Sequence, residues 1–290
     1  MLPNSQEALY HALIDRLNPV SHSVAQARAE ARLLLGSIAG LTFETILTHP
    51  HAPVADAVLA RLQQVLARRL QDRLPVQYLL AQAPFDDLVL HVSPSVLIPR
   101  PETELLVERA AALCQARGYT RVLDVGTGSG AIALALKHRL GDAVQVTATD
   151  ISPPALAVAR ENGRRLNLAI TWRLGDVYDA VPGERFDLIV SNPPYIDEAL
   201  WTGLMPEVRL HEPKLALVAA DHGFAVYHQL VAGLPEYLTP GGALAVEVGD
   251  KMATPLQEAW ARLGTVTIYP DYAGMDRVVV VLPATEQSGE

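Results

Sequence analysis

The sequence predicts an α/β protein, a mostly parallel sheet with helices on both faces, preceded by a small all-helical domain. Three observations carry this. From Arg121 onward, short β-branched runs alternate with helix-length segments, the pattern of stacked βαβ units. The first such run ends in a glycine-rich turn, Gly126-Thr127-Gly128-Ser129-Gly130. The first 80 or so residues carry apolar positions at helical spacing throughout. At 290 residues, half of them hydrophobic, the chain can bury one large core or two.

Residues 1–80 read as consecutive helices. Leu9, Leu13 and Leu17 share one face of the first. Ser23-Val24-Ala25-Gln26 is a capping box ahead of an Ala/Leu-rich run that stops at Gly40. Leu41 to Thr48 predicts a short third helix. Pro53 suits the first position of a fourth, with Val58, Leu62, Val65, Leu66 and Leu70 on its buried side. Leu74-Pro75 ends that helix or begins a short successor. His49 and His51 flank Pro50, but two histidines without further ligands are loop residues rather than a metal site, and no metal is expected. A helical domain without chemistry is most simply a recognition module.

Residues 81–100 predict a hairpin-like linker from Leu88–Val92 and Val96–Ile98, separated by Ser93-Pro94-Ser95. In Pro99-Arg100-Pro101-Glu102-Thr103-Glu104, Pro101 fits a first helical residue, and the glutamates complement the first-turn dipole. Arg100, held between two prolines, either binds substrate or orders the linker. Residues 101–290 then hold the sheet. Strands are expected at 121–125, 144–150, 170–172, 186–191 and 243–248, with a closing pair near 265–269 and 278–282. Helices are expected at 131–140, 153–166, 224–234 and 255–263, and Ala284 to Glu290 as a frayed tail. There is no internal repeat.

Net charge is −9, which argues against a broad nucleic-acid surface. The single cysteine, Cys114, excludes an internal disulfide and fits the core of a protein in a reducing compartment. No apolar run approaches a membrane span, and the first residues lack the pattern of a signal peptide; a cytoplasmic protein is expected.

Two motifs point to chemistry. The glycine turn would let a ligand approach the backbone and the following helix N-terminus. Its third glycine comes one residue early for the dinucleotide fingerprint, which weakens a nicotinamide reading. Asp150 ends the second strand 24 positions after Gly126, near the spacing of a ribose-binding carboxylate. The second motif is Asn192-Pro193-Pro194-Tyr195, directly after the strand Phe186–Ser191. Two prolines cannot extend a ladder, so the chain leaves the sheet in a stiff corner. Asn192 offers a side-chain carbonyl, Pro193 a main-chain carbonyl, and Tyr195 a π face. Together they suit a planar group bearing –NH₂.

Val122–Gly130, Asp150 and Asn192–Tyr195 together resemble S-adenosylmethionine-dependent methyltransferases that modify amino groups. Three further features narrow this: Val96–Glu104, His211-Glu212-Pro213-Lys214-Leu215-Ala216-Leu217, and the helical N-terminal domain. With them the chain resembles the HemK/PrmC family, which methylates the glutamine of a Gly-Gly-Gln motif in peptide-chain release factors. The likeness covers nearly the whole chain; Ala81–Asp86 and Val218–Gly223 depart from the family's glycine-containing pattern at those places.

The resemblance implies a Rossmann-like class I domain with a seven-stranded sheet over residues 101–290, and a substrate-recognition role for 1–80. It implies S-adenosyl-L-methionine, leaving as S-adenosyl-L-homocysteine, on Gly126, Thr127, Gly128, Ser129 and Gly130. Asp150 would meet the ribose, Asp176 and Val177 the adenine, and Asn192 would face the cofactor too. Asn192, Pro193, Pro194 and Tyr195 would bind substrate, with Asn192, Pro193 and Tyr195 at the reaction centre. Release factors are the expected partners, without direct nucleic acid or membrane contact. Three alternatives stay open: an amino-methyltransferase acting on adenine in nucleic acid, a nicotinamide oxidoreductase, and a non-catalytic nucleoside-binding adaptor.

Overall fold

Alternating helical and extended periodicity becomes two compact units in a computed structural model, which describes residues 1–284. One unit is Met1–Ala81 with Met205–His211; the other is Gln82–Leu204 with the chain from Glu212 onward.

The first unit holds α1 (Gln6–Leu17), α2 (Val24–Leu34), α3 (Phe43–Thr48), α4 (Asp56–Gln71) and α5 (Val76–Leu80). Leu9, Leu13, Leu17, Leu34, Leu62 and Leu66 meet in its core. Ser23 caps α2 by accepting from the Gln26 N–H at 3.1 Å. Gln26 reaches back to His22 rather than to Ser23 itself. Gly40 ends the Ala/Leu run with φ +66°, the left-handed cap that glycine favours. Pro53 is not a first helical residue: it bridges Ser5, and α4 starts three residues later. Arg69, on the apolar side of α4, is fully buried.

The second unit opens with an antiparallel hairpin, β1 (Gln82–Phe85) and β2 (Leu88–His91). The expected partner of β2, Val96–Ile98, is not a strand. Pro84 within β1 and an Asp86-Asp87 turn without glycine disguised the true first strand. Asp86 takes φ +53° there, its N–H donating to Glu104 Oε1 at 3.0 Å and its carboxylate pairing with Arg139. Then come α6 (Thr103–Arg117), β3 (Arg121–Val125), α7 (Ala131–Leu140), β4 (Gln145–Asp150), α8 (Pro153–Leu166), β5 (Thr171–Leu174) and β6 (Phe186–Ser191). Pro101 precedes α6 by two residues, with Glu102 as its N-cap. Two two-residue strands, β7 (Ile196–Asp197) and β8 (Val218–Ala219), bracket the excursion that carries α9 (Pro206–His211). The chain closes with α10 (Ala225–Tyr237), β9 (Leu238–Glu247), α11 (Ala253–Trp260), β10 (Gly264–Pro270) and β11 (Asp276–Pro283).

The main sheet has seven strands in the order β10-β11-β9-β6-β3-β4-β5. β9, β6, β3, β4 and β5 are parallel; β11 runs antiparallel to β9 and to β10. Successive side chains point to opposite faces, so Val122, Val146 and Leu188 enter one apolar layer and Leu123, Ile189 and Leu244 the other. Burial on both faces explains why these strands read as continuous apolar runs. Cys114 lies in the first layer, where burial pushes its thiol up to about 11. No helix among the described residues is long and apolar enough to cross a membrane. Apart from Ala284, the expected frayed tail lies outside the described residues.

Candidate active site

β3 and β6 are neighbours, and Val125 pairs with Ser191. Each is the last residue of its strand, so the glycine turn and Asn192 leave the sheet side by side. The chain runs from β3 to β4 and β5 on one flank, then returns with β6 and β9 on the other. Such a switch point is where open α/β sheets hold ligands. The Ser191 hydroxyl donates to the Val125 carbonyl at 2.8 Å and fixes the level of the two strand ends.

Backbone geometry explains the alternating glycines. Gly126, Gly128 and Gly130 have φ of +71°, +57° and +84°, where L side chains are strained. A Cβ on Gly126 or Gly128 would meet no atom within 4 Å; both residues line an adjoining cavity. A Cβ on Gly130 would come within 2.9 Å of the Trp172 ring. The third glycine therefore serves helix–sheet packing and is not a lining residue.

Two carboxylates hold the turn. Asp150 accepts from the Gly128 N–H through Oδ2 and from the Ser152 N–H through Oδ1, each at 2.8 Å. Burial raises its pKa against those two bonds. Asp124 accepts from the Thr127 hydroxyl at 2.6 Å and the Ala133 N–H at 3.1 Å, while its Oδ1 has no partner. Complete burial pushes Asp124 up to about 7.

The cavity measures about 330 Å³, a small-ligand size. Gly126, Thr127, Gly128, Ser129, Asp150, Asp176, Val177, Asn192, Pro193 and Pro194 all line it. The loop after β5 thus brings Asp176 and Val177 to the same space. Val177 sits at φ +42°, an outlier for a β-branched residue and a form of strain that collects at binding sites. Its carbonyl accepts from the Thr149 hydroxyl at 3.4 Å.

Tyr195 differs from expectation. It is not a lining residue; its partly buried ring packs against the core layer that holds Tyr227 and Met252. A Cβ on Gly249 would come within 2.8 Å of that ring, and burial pushes its hydroxyl up to about 12. The ring anchors the Asn192–Tyr195 corner from behind.

Thr103, Glu247 and Glu212 carry no role in the sequence reading, and Arg100 is left open there between substrate and linker. Asn192 Nδ2 donates to Thr103 Oγ1 at 3.1 Å, and the Thr103 hydroxyl donates to Glu247 Oε2 at 2.6 Å. A lone acid in the apolar strand Ala243–Val248 was the available signal. Arg100 pairs with Glu212 at 2.5 Å, and Glu212 also accepts from the Ile98 N–H at 3.2 Å. The two motif stretches around Arg100 and Glu212 thus hold one another, and Arg100 lines the cavity while ordering its own segment. Among the described residues, Asn192 Oδ1 and the Pro193 carbonyl receive no hydrogen bond from the protein.

Residues 101–204 match a family described as a methyltransferase small domain, and residues 20–80 match a PrmC N-terminal domain. Solved methyltransferase structures share the fold. A T. thermophilus 16S rRNA N2 methyltransferase in complex with AdoMet and guanosine superposes with a TM-score of 0.52 at 22% identity, covering 70% of this chain and 50% of that one. The hMettl16 catalytic domain gives 0.54 at 16%, covering 82% and 86%. At such identities the likeness is one of fold alone, that of a class I methyltransferase domain.

The nearer relatives are more specific. The release factor glutamine methyltransferase of Moorella thermoacetica is 42% identical, covering 88% of this chain and 90% of the relative. Those of Gloeobacter violaceus and Bordetella pertussis are 40% and 41% identical, covering 88% and 87% of this chain and 94% and 93% of theirs. The chain belongs to the release factor glutamine methyltransferase family.

Proposed function

We propose that the protein methylates the side-chain amide nitrogen of the glutamine in the Gly-Gly-Gln motif of peptide-chain release factors, in the cytoplasm, using S-adenosyl-L-methionine. One observation carries this reading: the Val125–Ser191 pairing sets the glycine turn and the two unspent acceptors of the Asn192 corner at one end of adjacent strands. The cavity between them fits the cofactor. Open space faces Gly126 and Gly128, the Asp150 oxygens each keep a lone pair for a ribose hydroxyl, and Ile151 and Val177 add apolar lining for a base. When bound, S-adenosyl-L-methionine supplies a methyl group activated by its sulfonium.

Everything else falls to the chain's own residues. An amide nitrogen is a poor nucleophile because its lone pair is delocalised into the carbonyl. Asn192 Oδ1 and the Pro193 carbonyl accept its two N–H bonds and aim the nitrogen into the cavity. Orientation of this kind contributes up to about 7–11 kcal/mol when the near-attack geometry is good. As the nitrogen gains positive charge, both acceptors bind it more strongly than the neutral amide. The amide proton becomes acidic only as that charge develops and is released to water after the methyl has left the sulfonium, so no strong base is required first. Residues 1–80 would recognise the release factor.

The test is transfer of labelled methyl from S-adenosyl-L-methionine to purified release factor, to the same factor with its Gly-Gly-Gln glutamine replaced, and to DNA and RNA. Label is expected in the intact factor alone. Label in adenine, or unchanged label in the glutamine-replaced factor, overturns the reading.

A further inference from the structure

We propose that Thr103 and Glu247 are positioning residues that decide which end of the Asn192 carboxamide faces the cavity; this rests on the amide-methylation reading above. A carboxamide has nearly the same shape in its two flipped orientations. Only one presents Oδ1 to a substrate –NH₂. The other sets –NH₂ against –NH₂, with no acceptor between them. Orientation is therefore settled in the cavity wall, at Thr103.

A hydroxyl carries one proton and can also accept. The Thr103 proton lies on the 2.6 Å bond to Glu247 Oε2. Its oxygen can then only accept toward Asn192, and Nδ2 stands 3.1 Å away to donate. The three side chains form a one-way chain, Asn192 to Thr103 to Glu247, which requires an ionised carboxylate at its end. Thr103 lines the cavity wall with only 4% of its surface exposed, and Glu247 is buried behind it.

Several groups face Glu247. Arg277 from β11 and Arg100 from the segment before α6 favour its charge, and Glu102 opposes it. The Tyr227 hydroxyl of α10 donates to its main-chain carbonyl at 2.7 Å, and the Tyr195 phenol lies near it. Burial outweighs the favourable groups and pushes the carboxyl up to about 7. Once protonated, Glu247 donates to Thr103, whose own proton is freed to turn toward Asn192 and favour the flipped amide. Turnover is therefore expected to rise with pH through about 7. Asp124 titrates in the same range, so a second variant must separate the two.

Thr103→Val keeps the shape and removes the relay. It is expected to lower kcat about tenfold, the weight of one hydrogen bond, with S-adenosyl-L-methionine affinity by calorimetry and Tm near wild type. Thr103→Ser should restore kcat. In an Asn192→Ala background, Thr103→Val should have less than about a twofold further effect, because residues acting through one contact are not additive. In Glu247→Gln the rise of kcat with pH near 7 should vanish. Wild-type methylation of release factor is the baseline, and its failure sinks the functional reading. On that baseline, three results each overturn this inference alone: unchanged kcat in Thr103→Val, an undiminished loss in the Asn192→Ala background, or the same pH rise in Glu247→Gln.

Discussion

On the proposed function Asn192 orients the substrate and Asp150 binds the cofactor, and substitutions should separate the two roles. Asn192→Ala removes one acceptor at the reacting nitrogen. By comparison with single donors at other reaction centres, kcat should fall about 100–1000-fold, with cofactor affinity by calorimetry nearly intact. Full turnover would remove Asn192 from the mechanism. Asp150 is different: it holds the turn through the Gly128 N–H and also lines the cavity. Asp150→Ala should weaken S-adenosyl-L-methionine binding about 10–100-fold, the range for a charged hydrogen-bond partner. Asp150→Asn, which keeps one acceptor, should lose less. Equal affinity in all three proteins would exclude a ribose contact.

Elements built from backbone rules were legible in the sequence. α7 and β6 begin and end where periodicity and the flanking glycines and prolines set them. Less regular pieces were not. The β1–β2 hairpin turns at Asp86-Asp87 without glycine, and Pro84 masks its first strand. Thr103 and Glu247 lie far apart in sequence and meet only because α6 packs against the sheet beside β9. Tyr195 reads as a binding plate from its place beside Asn192 and Pro193, but its ring packs against the apolar layer and does not line the cavity. Each of the two stretches that depart from the family's glycine-containing pattern holds side-chain-bearing residues at positive φ: Ala81 at +54° and Asp86 at +53°, then Asp221 at +53° and His222 at +51°. Ala81 is the C-cap of α5, and a Cβ in that conformation costs roughly 1–2 kcal/mol. Glycine's greater unfolded-state entropy returns part of this. Ala81→Gly should therefore stabilise the protein by about 1 kcal/mol and raise Tm by about 2 °C. A lower Tm would show that the strain at this cap is already relieved.

At the scale of the whole molecule, the chain passes between its two units at 81/82, 204/205 and 211/212. The first unit is therefore not a simple N-terminal appendage. Its excursion, Met205–His211, carries α9, a helix of six residues, too short to be stable alone. Arg69 holds it. This fully buried guanidinium pairs with Glu30 at 2.9 Å and with Glu207 of α9 at 2.8 Å, and donates to the Val20 carbonyl at 3.2 Å. Arg73 meets the same Glu207 oxygen at 2.7 Å. Burial alone would raise the Glu207 carboxyl, but Arg73 and Arg69 together hold it below its ordinary value. Its contribution is thus complete above the usual carboxylate range and lost as pH falls through the depressed value. Replacing one partner of such a cluster strands the others: Arg69→Ala should cost about 3–5 kcal/mol, with proteolysis appearing first within 205–211. A fragment beginning at residue 82 removes Arg69, Arg73 and Glu30 at once and leaves Glu207 without its partners. It should be cleaved in the same segment faster than the full chain under identical conditions. Equal resistance of fragment and full chain would mean that the excursion is held by contacts other than this cluster, and Arg69→Ala should then melt close to wild type.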